Sequence, residues 1–188
     1  LAESTEPLVY DINTASGREE LGIRADDAEI LQETDIVSLR VKGGDDASCL
    51  NLYRAQQPRI LGVSRKMVDL LGADNHPNFA WAKTAAETDE ERANPWLLLD
   101  KEYADSPEAV PVVIDKNTAM YSLHLYGGVG STFTTTDDDG REIKFRIVGL
   151  LANSILQGSL LVGEENFERL YPSISGYRMF LVKSARPQ

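Results

Sequence analysis

Between Val110 and Val182 the chain alternates short apolar runs with short helical patches, and turn residues separate them. The run VPVVI (110–114) is apolar throughout and mostly β-branched, which predicts a buried strand. Pro111 marks an edge, or the first residue of a ladder, because its ring nitrogen has no hydrogen to donate. KNTAMYSLHL follows. Asp115 or Asn117 can cap a helix over Thr118–Leu125, in which Ala119/Leu123 and Met120/His124 are four apart. YGGVG (126–130) ends it. Ser131–Thr136 reads as a strand and DDDG (137–140) as a hairpin turn. EIKFRIVGLL (142–151) is the returning strand, with Ile143, Phe145 and Ile147 on one face. Ser159–Val162 is a strand, Glu164–Tyr171 a short helix and Tyr177–Val182 the last strand. The pattern predicts an α+β fold.

Upstream the punctuation is weaker. Leu8 and Val9 can begin a strand or a short helix, and Asn13–Gly17 is turn chemistry. Asp26–Gln32 reads as a helical turn or two. Asp35–Val41 alternates, with Val37, Leu39 and Val41 on one strand face. Cys49–Tyr53 and Arg59–Val63 are further short strands. Ser64 is an N-cap for RKMVDLLG, where Met67, Leu70 and Leu71 share a face and Gly72 stops the helix. Thr84–Asn94 is charged and lacks a wide apolar stripe, so it reads as an exposed helix or mobile loop. Lys101–Pro107 is a second polar loop, and PWLLL (95–99) lies between the two. These loops are the expected flexible segments.

The chain's 188 residues allow one or two domains with a real core. Lys and Arg number 19 against 30 Asp and Glu, a net charge of -11 that repels phosphate backbones and excludes nucleic acid as a partner. No apolar run reaches the roughly 20 residues that span a bilayer. The start at Leu1, without Met, and the polar residues from Ser184 to Gln188 suit a segment cut from a longer protein. Cys49 is the single cysteine, so there is no internal disulfide and no cysteine-built metal site.

No residue stands out as catalytic, cofactor-binding or metal-ligating. His76 and His124 are the two histidines. His124 has Ser122 and Asp115 nearby but no nucleophile elbow, and a structural or surface role is the expectation for both. Gly127, Gly128 and Gly130 lack the Lys of a phosphate loop and read as a turn. Asp137, Asp138 and Asp139 lack EF-hand spacing and read as a solvated hairpin tip, and Asp45 and Asp46 as a loop. Glu87, Asp89, Glu90 and Glu91 form an acidic cluster, by default a solvated face. Tyr53, Phe79, Trp81 and Trp96 suit core or interface packing, with a ligand pocket as the alternative.

The order of these segments resembles the extracytoplasmic domain of FtsX-like ABC transporter permeases, the MacB-like periplasmic core domain. The matching order is the strand VPVVI, the short helix KNTAMYSLHL, a Gly-rich turn and the strand beginning Gly130-Ser-Thr-Phe133. A hairpin then leads to Phe145-Arg-Ile-Val-Gly-Leu-Leu151, the segment SLLVGEENFERLYP and a final strand. PRILGVSRKMVDLLG (58–72) resembles the opening of the family's inserted subdomain, and GDDASCLNLY (44–53) a subgroup variant. The likeness covers about 44–183, and its signal lies in the order of short, degenerate motifs.

The resemblance implies two subdomains. One is membrane-proximal, porter-like and of βαβ type, built from 1–57 and 152–188. The other is an inserted, sabre-like mixed α/β unit, 58–151, so the stretch 110–182 is their junction. It further implies a domain on the periplasmic or extracytoplasmic side of a cell-membrane protein, between the permease's first two membrane helices. An ABC ATPase subunit would act through the transmembrane part, and a second permease copy would complete a dimer. A periplasmic partner protein or lipoprotein is a further implied partner. The implied role is to couple cytoplasmic ATP hydrolysis to conformational change outside the membrane, for efflux or for export of lipoproteins or lipophilic substrates. No enzyme activity and no cofactor is implied. A stand-alone extracytoplasmic ligand-binding module with Trp81 and Trp96 in a groove, and a hydrolase using His124, are the alternatives.

Overall fold

Period-two alternation sets the architecture. The computed structural model describes residues 1–24, 31, 34–44, 58–72, 79–137 and 139–184. It shows the expected α+β fold as one large mixed sheet with short helices on its faces. The strands are β1 (Ala2–Leu8), β2 (Thr34–Lys42), β3 (Arg59–Val63), β4 (Ala80–Thr84) and β5 (Val110–Asp115), then β6 (Thr132–Thr136), β7 (Glu142–Ala152), β8 (Ser159–Gly163) and β9 (Tyr177–Ser184). Their order across the sheet is β1-β9-β2-β3-β8-β5-β7-β4, with β6 also on β7. The β3–β8 and β5–β7 pairs are parallel and the others antiparallel.

Alternate residues send their side chains to opposite faces, so each central strand feeds two cores. One core holds Leu39, Leu61, Val63, Val113, Leu151 and Leu161. It is covered by helix α2 (Arg65–Gly72) and a 3-10 helix, Pro95–Asp100. The other holds Ile60, Val112, Ile114, Phe145, Ile147, Leu160 and Val162, under Phe167 and Leu170. The last two belong to α4 (Glu164–Leu170). Two shorter helices, α1 (Ala15–Glu20) and α3 (Asp89–Ala93), complete the set among the described residues.

β5 is buried at every position and lies between β8 and β7. Pro111 fits there because β8 pairs with β5 only at Val113 and Ile114, so the proline sits at the start of the ladder and not on an edge strand. β8, from the 152–188 segment, lies between β3 and β5 of the 58–151 segment. Strands of both segments therefore interleave in one sheet. The first and last strands are neighbours, with Ala2 of β1 opposite Phe180 of β9, and β9 also pairs with β2, Thr34 opposite Ser184.

One local expectation is corrected. Residues 118–125 do not form an α-helix. Thr118–Ser122 is a π-helical turn, in which the Leu123 N–H donates to Thr118 O five residues back, 3.0 Å. His124 then takes a left-handed φ of 54°. The wider turn keeps Thr118 buried, where its hydroxyl accepts from the Gly158 N–H at 2.9 Å.

The polar stretches flanking PWLLL carry defined contacts, and Thr84–Asn94 contains an exposed helix, one of the two expected forms. Thr88 and Glu91 make a reciprocal capping box at the start of α3. Lys101 bridges Glu87 and Glu91, each at 2.8 Å. Arg146 on β7 holds Asp105 at 2.8 Å and lies 4.5 Å from the centre of the Tyr103 ring. Single exposed ion pairs are weak, but a connected set that includes a cation–π contact fixes a loop better than its composition suggests. The segments 26–30, 49–53 and 73–78, which include Cys49, Tyr53 and His76, lie outside the described residues, as do Asp45, Asp46 and Asp138.

Candidate functional site

The first candidate is an apolar groove of about 390 Å³ on the face covered by α2. Its walls come from separate parts of the chain. Ser64 caps α2 by accepting from the Met67 N–H at 3.4 Å, and the helix buries Met67 and Val68. That register leaves Leu70 and Leu71, at its last turn, to line the groove. Val37 and Leu181 contribute from the sheet, Phe79 from the entry to β4, and Ile155 from the β7–β8 connection. Ile155 is 67% exposed and Val182 is 50% exposed, although both are large aliphatic groups. The groove offers apolar contact with Asp35 and Lys183 at its margin.

The second candidate is a polar pocket of about 320 Å³ over α4. Arg40 on β2 pairs with Glu164 at 3.0 Å and Glu168 at 2.6 Å. The Tyr177 hydroxyl donates to Glu164 at 3.0 Å, and the Arg40 guanidinium lies 5.0 Å from the Tyr177 ring centre. Burial, together with the Glu164 charge, pushes the Tyr177 phenol up to about 12. Asp100, at the pocket's far side, is raised by burial against the pull of Arg65. Two arginines, Arg40 and Arg65, face four carboxylates in the pocket, and the tyrosine stays protonated at neutral pH. The arrangement latches α4 to β2 and offers no activated nucleophile.

The residues singled out in the sequence are not brought together. His124 is exposed on the loop after the π-turn, and its ring lies 6.3 Å from that of Tyr126. Among the described residues no hydrogen bond joins it to a serine. Asp115 is fully buried and turned the other way, accepting from the Asn117 N–H at 2.9 Å and the Ser154 N–H at 2.7 Å. It ties the end of β5 to the β7–β8 connection. Gly128 and Gly130 take φ values of 70° and 95°, and Gly130 donates to Ile147 O, so the glycines form a turn onto β7.

Asp137 is occupied by its own hairpin. Its carboxylate accepts from the Arg141 N–H and Nε and from the Asp139 N–H. Burial pushes this carboxyl up, but the bonds and charge of Arg141 and the Asp139 bond outweigh it and hold it low. Trp96 is 2% exposed. Its ring packs edge-on against Phe79 and Trp81, with centroids 5.3 and 5.0 Å away. Phe79 alone of these rings reaches the groove. The groove was hidden in the sequence because its residues are ordinary aliphatics scattered from 35 to 183. The exposed Ile155 beside a turn was the one available signal.

The acidic cluster has a defined partner. The Lys101 ammonium, then the Glu87 and Thr88 N–H groups, hold the Glu91 carboxyl at about 2 instead of 4.5. A depressed carboxyl stabilises the fold above its ordinary value, and that contribution is lost as pH falls from about 4.5 towards 2. Lys101→Met is expected to move the Glu91 value up towards 4.5, read by NMR titration of the side-chain carboxyl. An unchanged value would show that the backbone N–H groups alone hold it.

No family model matches the chain, and no curated protein matches it. Among solved structures it is similar to the extracellular domain of the noncanonic ABC-type transporter YknZ from Gram-positive bacteria. That likeness has a TM-score of 0.47 and 11% identity, covering 98% of this chain and 81% of the other. The chain is also similar to the periplasmic region of MacB from Actinobacillus actinomycetemcomitans, with a TM-score of 0.42 and 13% identity. This second match covers 82% of the chain and 59% of the MacB region. No helix among the described residues is long and apolar enough to cross a membrane.

Proposed function

We propose that this chain is an extracytoplasmic domain of an FtsX-like ABC transporter permease. It couples ATP hydrolysis in the cytoplasm to conformational change outside the membrane, for efflux or for export of lipoproteins or lipophilic substrates. One observation carries the reading: β1 and β9 are hydrogen-bonded neighbours, with Ala2 opposite Phe180. A domain held in a loop between two membrane helices needs both connections at one edge of the fold, and this pairing meets that need. The ion-pair networks and packed rings suit a body that transmits force.

In this reading the ATPase acts through the membrane part, a second permease copy completes a dimer, and a periplasmic protein or lipoprotein meets the exposed surface. The segments 1–57 with 152–188 and the segment 58–151 serve as membrane-proximal and distal halves. β8 sits between β3 and β5, and β2 pairs with β3, so force passes between the halves through those three ladders.

Two experiments on the full-length protein in cells test the reading. Tyr126 is 73% exposed, and Tyr126→Cys is expected to react with a membrane-impermeant maleimide added outside the cytoplasmic membrane. Reaction only after that membrane is permeabilised would overturn the location. Deleting the domain is expected to abolish export while the partner ATPase still binds nucleotide, and export that survives the deletion would overturn the coupling role.

A second reading, an extracytoplasmic ligand-binding module, is favoured by one contact: Phe79 lines the groove and also touches Trp96. Titration with a long-chain fatty acid would then give a saturable change in tryptophan fluorescence. Leu71→Asp would remove it.

A further inference from the structure

The sheet has open edges at β1, β4 and β6 among the described residues. Open edges invite pairing with another chain, and proteins guard them with charge or proline. β1 carries Glu3, Glu6 and Pro7, and β4 carries Lys83. β6 reads TFTTT, with no charge and no proline, and its alternate residues Thr132, Thr134 and Thr136 are exposed.

The hairpin register shows which backbone groups are free. The Asp137 N–H donates to Arg141 O and the Ile147 N–H donates to Ser131 O, while Thr132 lies opposite Arg146. The bonded positions along β6 are therefore the odd residues. Thr132, Thr134 and Thr136 turn their N–H and C=O groups away from β7. The same three residues thus present their side chains to solvent and their backbone groups to the open edge.

We propose that β6 is a self-pairing edge, at which a second copy of this chain adds its own β6 antiparallel. With the two-fold axis at Thr134, Thr134 faces Thr134 of the second copy and Thr132 faces Thr136 of the second copy. Every outward position meets threonine, a favourable cross-strand pair. Charge favours this edge over β1, where Glu3 and Glu6 of two copies would be brought together. Each copy carries a net charge of -11, yet residues 116–136 contain no Asp or Glu and include Lys116 and His124. In the paired arrangement Asp137 and Asp139 of one copy lie beside the glycine turn of the other. The contact stands on this edge alone, whether or not the permease reading holds. Its hydrogen bonds are few and individually weak in water, so the dimer is weak and concentration-dependent.

Cross-linking in a Cys49→Ser background tests it. Thr134→Cys is expected to form a disulfide-linked dimer under mild oxidation. Thr132→Cys alone is expected to stay monomeric, and a mixture of Thr132→Cys and Thr136→Cys chains is expected to cross-link. Adding Thr134→Pro to both chains of that mixture should abolish the link. It removes an N–H that β7 does not use, so the melting curve by circular dichroism should stay near that of the parent. Thr134→Lys, which sets like charges across the axis, gives the same loss by a second route. Absence of any cross-link, equal cross-linking by Thr132→Cys alone, or a link that survives both Thr134 variants would overturn the proposal.

Discussion

Trp96→Ala is expected to destabilise the protein by about 3–5 kcal/mol, the range for removing a large buried ring. Trp96 is 2% exposed and joins three elements. Its ring packs against Phe79 and Trp81. The Trp96 backbone N–H, which alanine would keep, donates to the Asn94 Oδ1, and the Asn94 Nδ2 donates to Val68 O on α2 at 3.0 Å. Loss of the ring therefore opens a cavity beneath α2 and the sheet together. Chemical denaturation followed by circular dichroism measures the effect, and Trp96→Phe should recover part of it. If Trp96 served the groove and not the core, the alanine variant would keep nearly full stability and lose only ligand response.

Gly149→Val is expected to cost about 1–3 kcal/mol, or more, through overpacking. Gly149 sits where β7 is crowded from both sides. A Cβ there would lie 2.6 Å from the Trp81 ring and 3.2 Å from Val113. The β5–β7 register also slips here, pairing Val112 with Ile147 and then Val113 with Gly149. The extra residue inverts the alternation, so Phe145 and Ile147 enter one core while Leu151, also odd-numbered, enters the other, under α2. The glycine then gives the indole its seat. Trp81→Leu in the Gly149→Val background should restore part of the loss, read as a coupling in a double-mutant cycle. Purely additive effects would show that the glycine is needed for its backbone and not for the ring.

The strand skeleton was legible where local signals agree. In β5, β7, β8 and β9 the β-branched runs, alternation and turn residues point to the same elements, and DDDG closes the β6–β7 hairpin as expected. The π-turn at Thr118–Ser122 was not legible. Ala119 and Leu123 have helical spacing, but the hydroxyl of Thr118 is claimed by Gly158, 40 residues away. The contacts around PWLLL were not legible for a related reason. Their charges look solvated in sequence, while the partner that holds the second loop, Arg146, lies on a strand about 40 residues later. Neither the groove nor the open β6 edge has a sequence motif, because each is defined by which strands end up adjacent.

The sequence by itself determined the α+β class, most strand positions and an acid balance that repels phosphate backbones. These follow from local periodicity and composition, which act over a few residues. Tertiary structure alone decided that one continuous sheet interleaves the two segments, with β8 between β3 and β5 and the first and last strands side by side. It also decided that the tryptophans pack as core and that β6 is left with an open edge. Those outcomes depend on strand pairing between residues far apart in the chain. A β-strand's own residues encode which faces it buries, not which strand lies beside it.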